Sequence, residues 1–309
     1  AHRRVTGMRV AIASGKGGTG KTTIAVSLAL VASRREGLGV HLVDGDVEAP
    51  DAALFLRPDL VEHRQTGILV PEIDAARCTL CGTCAAVCAF HAIATTGDRV
   101  LVFPDLCHGC GNCRRQCPED AIHERLFRTG VLEAGRAGRV IFSHGRLDVG
   151  RAMATPVLRE LRRWRPGTLG EAQAAAPELL TLVDAPPGSG CPVREAVSGC
   201  DLALLVAEPT PFGLHDLELA VRLVRDALGI PLGVILNRDT GDSRALVRLC
   251  TRERLPVVMQ LPFARPIAAA LATGEPLVRA MPDLAGRFER LLDWILEQTG
   301  GLRCASSSS

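Results

Sequence analysis

The sequence predicts an α/β protein: a mostly parallel sheet covered by helices on both faces, with a small cysteine-rich α+β module inserted in it. Short continuous apolar runs alternate with helical stretches, the pattern of a parallel sheet buried on both sides. A glycine loop separates the first apolar run from an apolar helix. Eight of the 12 cysteines fall in one segment, where the alternation breaks.

Taken in order, Met8–Ala13 (MRVAIA) is the first buried strand, and the helix after the glycine loop covers Thr22–Ser33. Gly39–Val43 is the second strand. Leu179–Val183, Leu202–Val206, Ile230–Leu236 and Val257–Leu261 continue the series, with a helix over Gly213–Leu228 between two of them. Between Ile68 and His123 an internal repeat takes over. Cys78–Ile93 aligns with Cys107–Ile122 at an offset of 29 residues, matching four cysteines, Gly82/Gly111, Ala92/Ala121 and Ile93/Ile122. A duplicated unit placed inside a larger domain is what a surface-loop insertion permits. The expected organisation is a main domain over 8–67 and 127–303, an insert over 68–126, and a tail over 304–309.

The 309 residues suffice for one large domain and a small module. Hydrophobic residues at 47% and charged residues at 23% are those of a soluble globular protein. Aromatics are 3%, with no Tyr, and net charge is +2. Stacking platforms and a basic field are both lacking, so no nucleic-acid partner is expected. No apolar run approaches the roughly 20 residues of a membrane span, so no stable membrane insertion is expected. Ala1–Gly7 has two arginines but no apolar stretch behind it, so no secretory signal is read there and the cytoplasm is the expected location. In that setting, 12 cysteines point to metal binding rather than disulfides.

Gly15-Lys16-Gly17-Gly18-Thr19-Gly20-Lys21-Thr22 fits G-x-x-x-x-G-K-[ST], after a strand and opening a helix. Glycines let backbone N–H groups turn inward around phosphate oxygens, and the helix N-terminus adds its positive end. Lys21 supplies a point charge to the β/γ-phosphates, and the Thr22 hydroxyl ligates Mg²⁺. Gly15, Gly17 and Gly20 also fit a G-x-G-x-x-G dinucleotide fingerprint. Lys21-Thr22 following at once argues for the phosphate loop.

Both halves of the repeat read C-x₂-C-x₂-C-x₃-C. This is the two-cluster ferredoxin spacing, in which the fourth cysteine ligates the other cluster. It assigns Cys78, Cys81, Cys84 and Cys117 to one [4Fe–4S] cluster, and Cys107, Cys110, Cys113 and Cys88 to a second. Pro118 follows Cys117, but Ala89 stands where the first half would have proline. Zinc is the competing ligand, but it favours separated C-x₂-C pairs. His91, His108 and His123 read as surface residues.

Ser14–Thr23 (SGKGGTGKTT) resembles the deviant Walker A of the MinD, ParA, nitrogenase iron protein and Mrp-type ATPases. That resemblance implies that Lys16 reaches the nucleotide of a partner subunit in an ATP-sandwiched homodimer, and adds Thr23 to the nucleotide contacts. Val43–Pro50 resembles the family's switch I, with Asp46 orienting or deprotonating the attacking water and joining Thr22 and Asp184 around Mg²⁺, and Asp44 its close competitor. Leu182–Gly188 resembles Walker B with switch II, with Asp184 holding Mg²⁺ through water and the Gly188 N–H sensing the γ-phosphate. Asn237 falls at the family's adenine-reading position. With the insert, the chain is similar to MinD-superfamily ATPases that contain a ferredoxin domain.

The resemblance therefore implies an ATPase of low intrinsic rate that uses ATP, Mg²⁺ and two [4Fe–4S] clusters. The favoured expectation is ATP-gated electron transfer to a redox or metalloprotein partner. An ATPase for cofactor assembly is second, and MinD/ParA-like spatial positioning third. Leu284, Phe288, Leu291, Leu292 and Ile295 share one helical face with mixed flanking charge, which reads as core packing rather than a membrane grip. Cys191 lies seven residues after Asp184, a spacing similar to one cluster ligand of nitrogenase iron protein, but a buried small hydrophobe is the preferred reading. Cys200, Cys250 and Cys304 show no ligand spacing.

Overall fold

A computed structural model describes residues 6–176 and 178–306. Of the expected tail over 304–309, the backbone of 304–306 continues the last helix, and 307–309 with the side chain of Cys304 lie outside what is described. The strands are β1 (Thr6–Ala13), β2 (Leu38–Asp44), β3 (Asp59–Ile73), β4 (Ile93–Thr95), β5 (Val100–Val102), β6 (Ile122–Ala137), β7 (Val140–Leu147), β8 (Glu178–Asp184), β9 (Leu202–Ala207), β10 (Leu232–Asp239) and β11 (Val257–Pro262). The helices are α1 (Lys21–Ala32), α2 (Ala52–Leu56), α3 (Thr83–Ala86), α4 (Asn112–Arg115), α5 (Ala154–Arg163), α6 (Gly167–Ala175), α7 (Cys191–Val197), α8 (Pro211–Val221), α9 (Arg244–Glu253), α10 (Arg265–Ala272), α11 (Leu277–Ala280) and α12 (Ala285–Ser306).

Nine strands form one sheet in the order β11-β10-β9-β1-β8-β2-β7-β6-β3. From β11 to β7 every pair is parallel. The last two pairs are antiparallel. The expected mostly parallel α/β fold is what the chain adopts. Two apolar cores lie on the two faces of the sheet. One joins α1, α11 and α12 to the sheet, and the other joins α5, α7, α8 and α9 to it. Phe288, Leu291, Leu292 and Ile295 are buried in the first, so the apolar face of α12 is core. The expected helix over Gly213–Leu228 is α8 followed by a π-helical turn over Arg222–Ala227.

The expected strand series omitted β3, β6 and β7. On β3 and the outer part of β6, polar residues interrupt the apolar ones because one face is wet. Those two strands pair from Asp59↔Arg136 to Ile73↔Ile122, a long ribbon running out from the sheet edge. Its tip carries the cysteine repeat, with α3, α4 and the small β4–β5 sheet. The expected insert limits, 68 and 126, fall on this ribbon.

Candidate functional site

The phosphate loop joins β1 to α1 at the C-terminal edge of the sheet, where ligands of open α/β folds bind. Its glycines are set by close approach. A Cβ on Gly15 would collide with the Asp216 carbonyl of α8, and one on Gly20 would sit 2.5 Å from Asn237 Nδ2. Gly17 and Gly18 are exposed, while Thr19 is buried with its hydroxyl unpartnered. Thr22 and Thr23, in the first turn of α1, are half-buried.

Lys21 is only 6% exposed. Burial lowers its pKa, while Asp184, Asp46 and Asp44 pull it back up. The three carboxylates differ. Asp44 and Asp184 are register partners at the ends of β2 and β8, and both are fully buried. Asp44 accepts the N–H groups of Ala52 (2.9 Å) and Asp46 (3.1 Å), so it ties down the start of the loop. Its pKa is raised well above the usual range by burial and by neighbouring Asp184. Neither oxygen of Asp184 has a hydrogen-bond partner. Burial pushes its pKa up to about 7, against the pull of the Thr22 hydroxyl and Lys21. Asp46 is half-buried, raised by burial and held back by Lys21. An orphaned buried carboxylate beside a hydroxyl and a lysine fits a hydrated Mg²⁺. Thr22 and Asp184 would hold the ion, with Asp46 at its rim.

Sequence reasoning missed Glu208, which closes β9. This buried carboxylate accepts Lys16 Nζ on one oxygen and Arg238 on the other, each at 2.8 Å. An acid ending an apolar strand at the ligand edge was a signal available beforehand. Asn237 donates its Nδ2 to the Thr19 carbonyl at 2.6 Å. It lines a cavity of ≈ 260 Å³ with Gly20, Thr23, Ile24, Phe263 and Ile267, an apolar slot beside the phosphate loop. The Gly188 N–H donates to the Ser14 carbonyl at 3.1 Å. In this conformation that amide is held by the loop and not offered to a phosphate.

The cysteines gather as two quartets. Cys78, Cys81, Cys84 and Cys117 line one small cavity of ≈ 20 Å³ with Ile73 and Ile122. Cys88, Cys107, Cys110 and Cys113 line another of ≈ 20 Å³ with Leu69 and Phe90. Each quartet takes its fourth cysteine from the other half of the repeat. The backbone repeats too: Leu80/Gly109, Gly82/Gly111 and His91/Asp120 all have positive φ. The Ala92 and Ala121 N–H groups donate to Cys88 and Cys117 Sγ, both at 3.3 Å. Among the described residues, no three His, Cys, Asp or Glu groups converge as a single-ion site. The thiols surround apolar voids instead. His91, His108 and His123 are exposed, and His108 stacks on Phe90 at 3.7 Å between ring centroids.

The remaining cysteines divide. Cys200 and Cys250 are buried, and burial pushes both thiols up to about 11. Cys191 is exposed, which corrects the expectation of a buried small hydrophobe. It opens α7 before the apolar side of that helix, Val193, Ala196 and Val197, turns to the core.

Three proteins of Methanocaldococcus jannaschii resemble this chain. One, an uncharacterised protein, is 27% identical over 94% of this chain and 98% of its own length. A second is 34% identical over 68% of this chain and 70% of its own. The third, an uncharacterised ATP-binding protein, is 26% identical over 89% and 81%. Among solved structures, Pyrococcus furiosus cell-division ATPase MinD superposes with a TM-score of 0.57 at 21% identity, covering 95% of this chain and all of that one. The Pyrococcus horikoshii septum site-determining protein MinD, complexed with Mg-ADP, gives 0.54 at 21%, covering 93% and 94%.

These matches overturn the expected ATP-gated electron transfer and the cofactor-assembly alternative. They span the ATP-binding body and point to a MinD/ParA-type ATPase, the family that the phosphate-loop motifs resembled. The error has a physical source. Cysteine spacing reports what a segment can ligate, not what work the body around it performs. The expected redox or metalloprotein partner rested on the same reading. Among the described residues, no helix is long and apolar enough to cross a membrane. Residues 10–277 match the CobQ/CobB/MinD/ParA nucleotide binding domain, and the chain belongs to that family.

Proposed function

We propose that this chain is a MinD/ParA-type switch ATPase that binds Mg-ATP, closes on it as a homodimer and hydrolyses it slowly. One observation carries the reading: buried Lys21 lies among three carboxylates, one of which, Asp184, has both oxygens orphaned. Lys21 binds the β/γ-phosphates. Thr22 and Asp184 hold Mg²⁺, which would neutralise charge on the phosphate oxygens. Asp46 orients the attacking water and takes its proton; its raised pKa brings it nearer the working range of a general base. Asn237 reads the adenine from the apolar slot. Lys16, held by its own chain's Glu208, must leave that partner to reach the nucleotide of the second subunit.

The insert over 68–126 is proposed to hold two [4Fe–4S] clusters, one in each cysteine quartet. The pairing of quartets expected from the spacing and two cavities with apolar walls support this. So does the N–H donated to each fourth sulfur, since such donors favour thiolate.

Light scattering and phosphate release test the switch. The native chain is expected to dimerise with MgATP and stay monomeric with MgADP. Lys21→Ala should lose nucleotide binding. Lys16→Ala should bind ATP yet remain monomeric. Asp46→Asn should dimerise but hydrolyse roughly 10²-fold more slowly. A native chain that turns over ATP as a monomer sinks the homodimer.

A further inference from the structure

The insert is joined to the body by more than its ribbon. Among the described ion pairs, Arg151–Asp105 is the one linking the insert to a segment outside the ribbon. Asp105 lies between the two cysteine runs, two residues before Cys107. Arg151 lies in the connection from β7 to α5, and its guanidinium also sits 4.4 Å over the Phe127 ring on β6.

That connection is anchored to the nucleotide loop at its other end. Leu147 N–H donates to the Val47 carbonyl at 2.8 Å, and Val47 is the residue after Asp46. Val47 is buried against the Gly145 backbone, where an added Cβ would lie 2.9 Å from its Cγ1. Asp148 follows directly. Its N–H donates to the Thr129 carbonyl, and its carboxylate takes a two-pronged pair from Arg128 at 2.9 and 3.0 Å. The Arg151 N–H closes a turn on the Asp148 carbonyl at 3.1 Å. The path Asp46–Val47–Leu147–Asp148–Arg151–Asp105 is thus a continuous chain of bonds, ending in an ion pair at the surface.

We propose that Arg151 is a positioning residue that couples the nucleotide state of the Asp46 loop to the cysteine insert. Loops that touch the γ-phosphate change arrangement between triphosphate and diphosphate states. Here such a change drags Leu147 and Asp148, and Arg151 passes it to Asp105 and so to the run beginning at Cys107. The insert then has two arrangements, one for each nucleotide state. This rests on the nucleotide part of the proposed function and not on the clusters.

Hydrogen–deuterium exchange on the full chain, purified without oxygen, tests it. Three states are compared: nucleotide-free, MgADP, and Mg²⁺ with a non-hydrolysable ATP analogue. Peptides over residues 100–118 are expected to change exchange rate several-fold with the analogue but not with ADP. In Arg151→Ala and Asp105→Ala that response should vanish, while nucleotide still protects the phosphate-loop peptides. Arg151→Lys should restore part of it. Equal exchange in all three native states overturns the coupling, as does a full response in both alanine variants. Iron content of the same samples separates the two readings. An iron-free chain whose insert responds sinks the clusters and keeps the relay; a fully loaded chain whose insert never responds does the reverse.

Discussion

Asp44 and Asp46 are two residues apart, both acidic, and unlike in role. Asp44 spends its oxygens on two backbone N–H groups, while Asp46 faces Lys21. The competition between them, open on sequence, turns on hydrogen bonds that no spacing displays. Asn237 is similar. Its Nδ2 donates to the Thr19 carbonyl, so Oδ1 is the amide atom that can accept from an amino group such as that of adenine. Asn237→Asp should set an oxygen against that carbonyl and weaken ATP binding about tenfold, roughly the worth of one hydrogen bond. It should also erase preference for ATP over GTP, read by competition against a fluorescent nucleotide. If the native chain binds both equally, Asn237 is not the base reader. The motif residues around Lys21 were legible because a phosphate loop is local. Glu208 was visible only as an acid ending an apolar strand; its pairing with Lys16 forms only through the fold.

At the scale of elements, the repeat makes a sharp prediction. Each quartet borrows its fourth cysteine from the opposite half. Cys117→Ser should therefore disturb the proposed cluster of Cys78, Cys81 and Cys84, and leave that proposed for Cys107, Cys110 and Cys113. Iron should fall by about half, with spectroscopic loss confined to one site. Cys88→Ser should spare the opposite one; identical residual spectra from both variants would contradict the crossing. Strand β2 carries a second prediction. His41 is buried, its Nε2 within 2.8 Å of Ser143 Oγ on β7, and burial lowers its pKa to about 3. Below its unfolded value of about 6.5, the unfolded chain takes up a proton that the folded chain refuses. Stability should fall as pH drops, by about 2 kcal/mol from this group between pH 7 and 5. Urea unfolding of the native chain and of His41→Gln should show that slope in the first and its loss in the second. The apolar strands announced themselves by composition. The ribbon strands did not, since edge position and one wet face removed the continuous apolar run.

The whole molecule is a nine-stranded sheet with the cysteine repeat held off its edge. Ile73 and Ile122 are the last register pair of the ribbon, so residues 74–121 leave and return at one point. Replacing them with a two-residue Asn-Gly turn should close the hairpin. The shortened chain should bind ATP with unchanged affinity and carry no iron. Calorimetric titration checks the first and metal analysis the second. Failure to bind nucleotide in a folded shortened chain would make the insert part of the nucleotide-binding body.

The sequence by itself determined the α/β class, the phosphate loop with Lys21, the carboxylates ending β2 and β8, and the two matched cysteine runs. Each is a local pattern: apolar runs bury strands, glycines shape a loop, and ligands recur at fixed intervals. Only the tertiary structure decided which acid is tied down and which is orphaned, where Lys16 rests, and that Cys191 is exposed while Cys200 and Cys250 are buried. It also placed the cysteine repeat on an antiparallel ribbon and paired Asp105 with Arg151 of the β7–α5 connection. Those features depend on contacts between segments far apart in the chain, which form when the sheet and its two cores close.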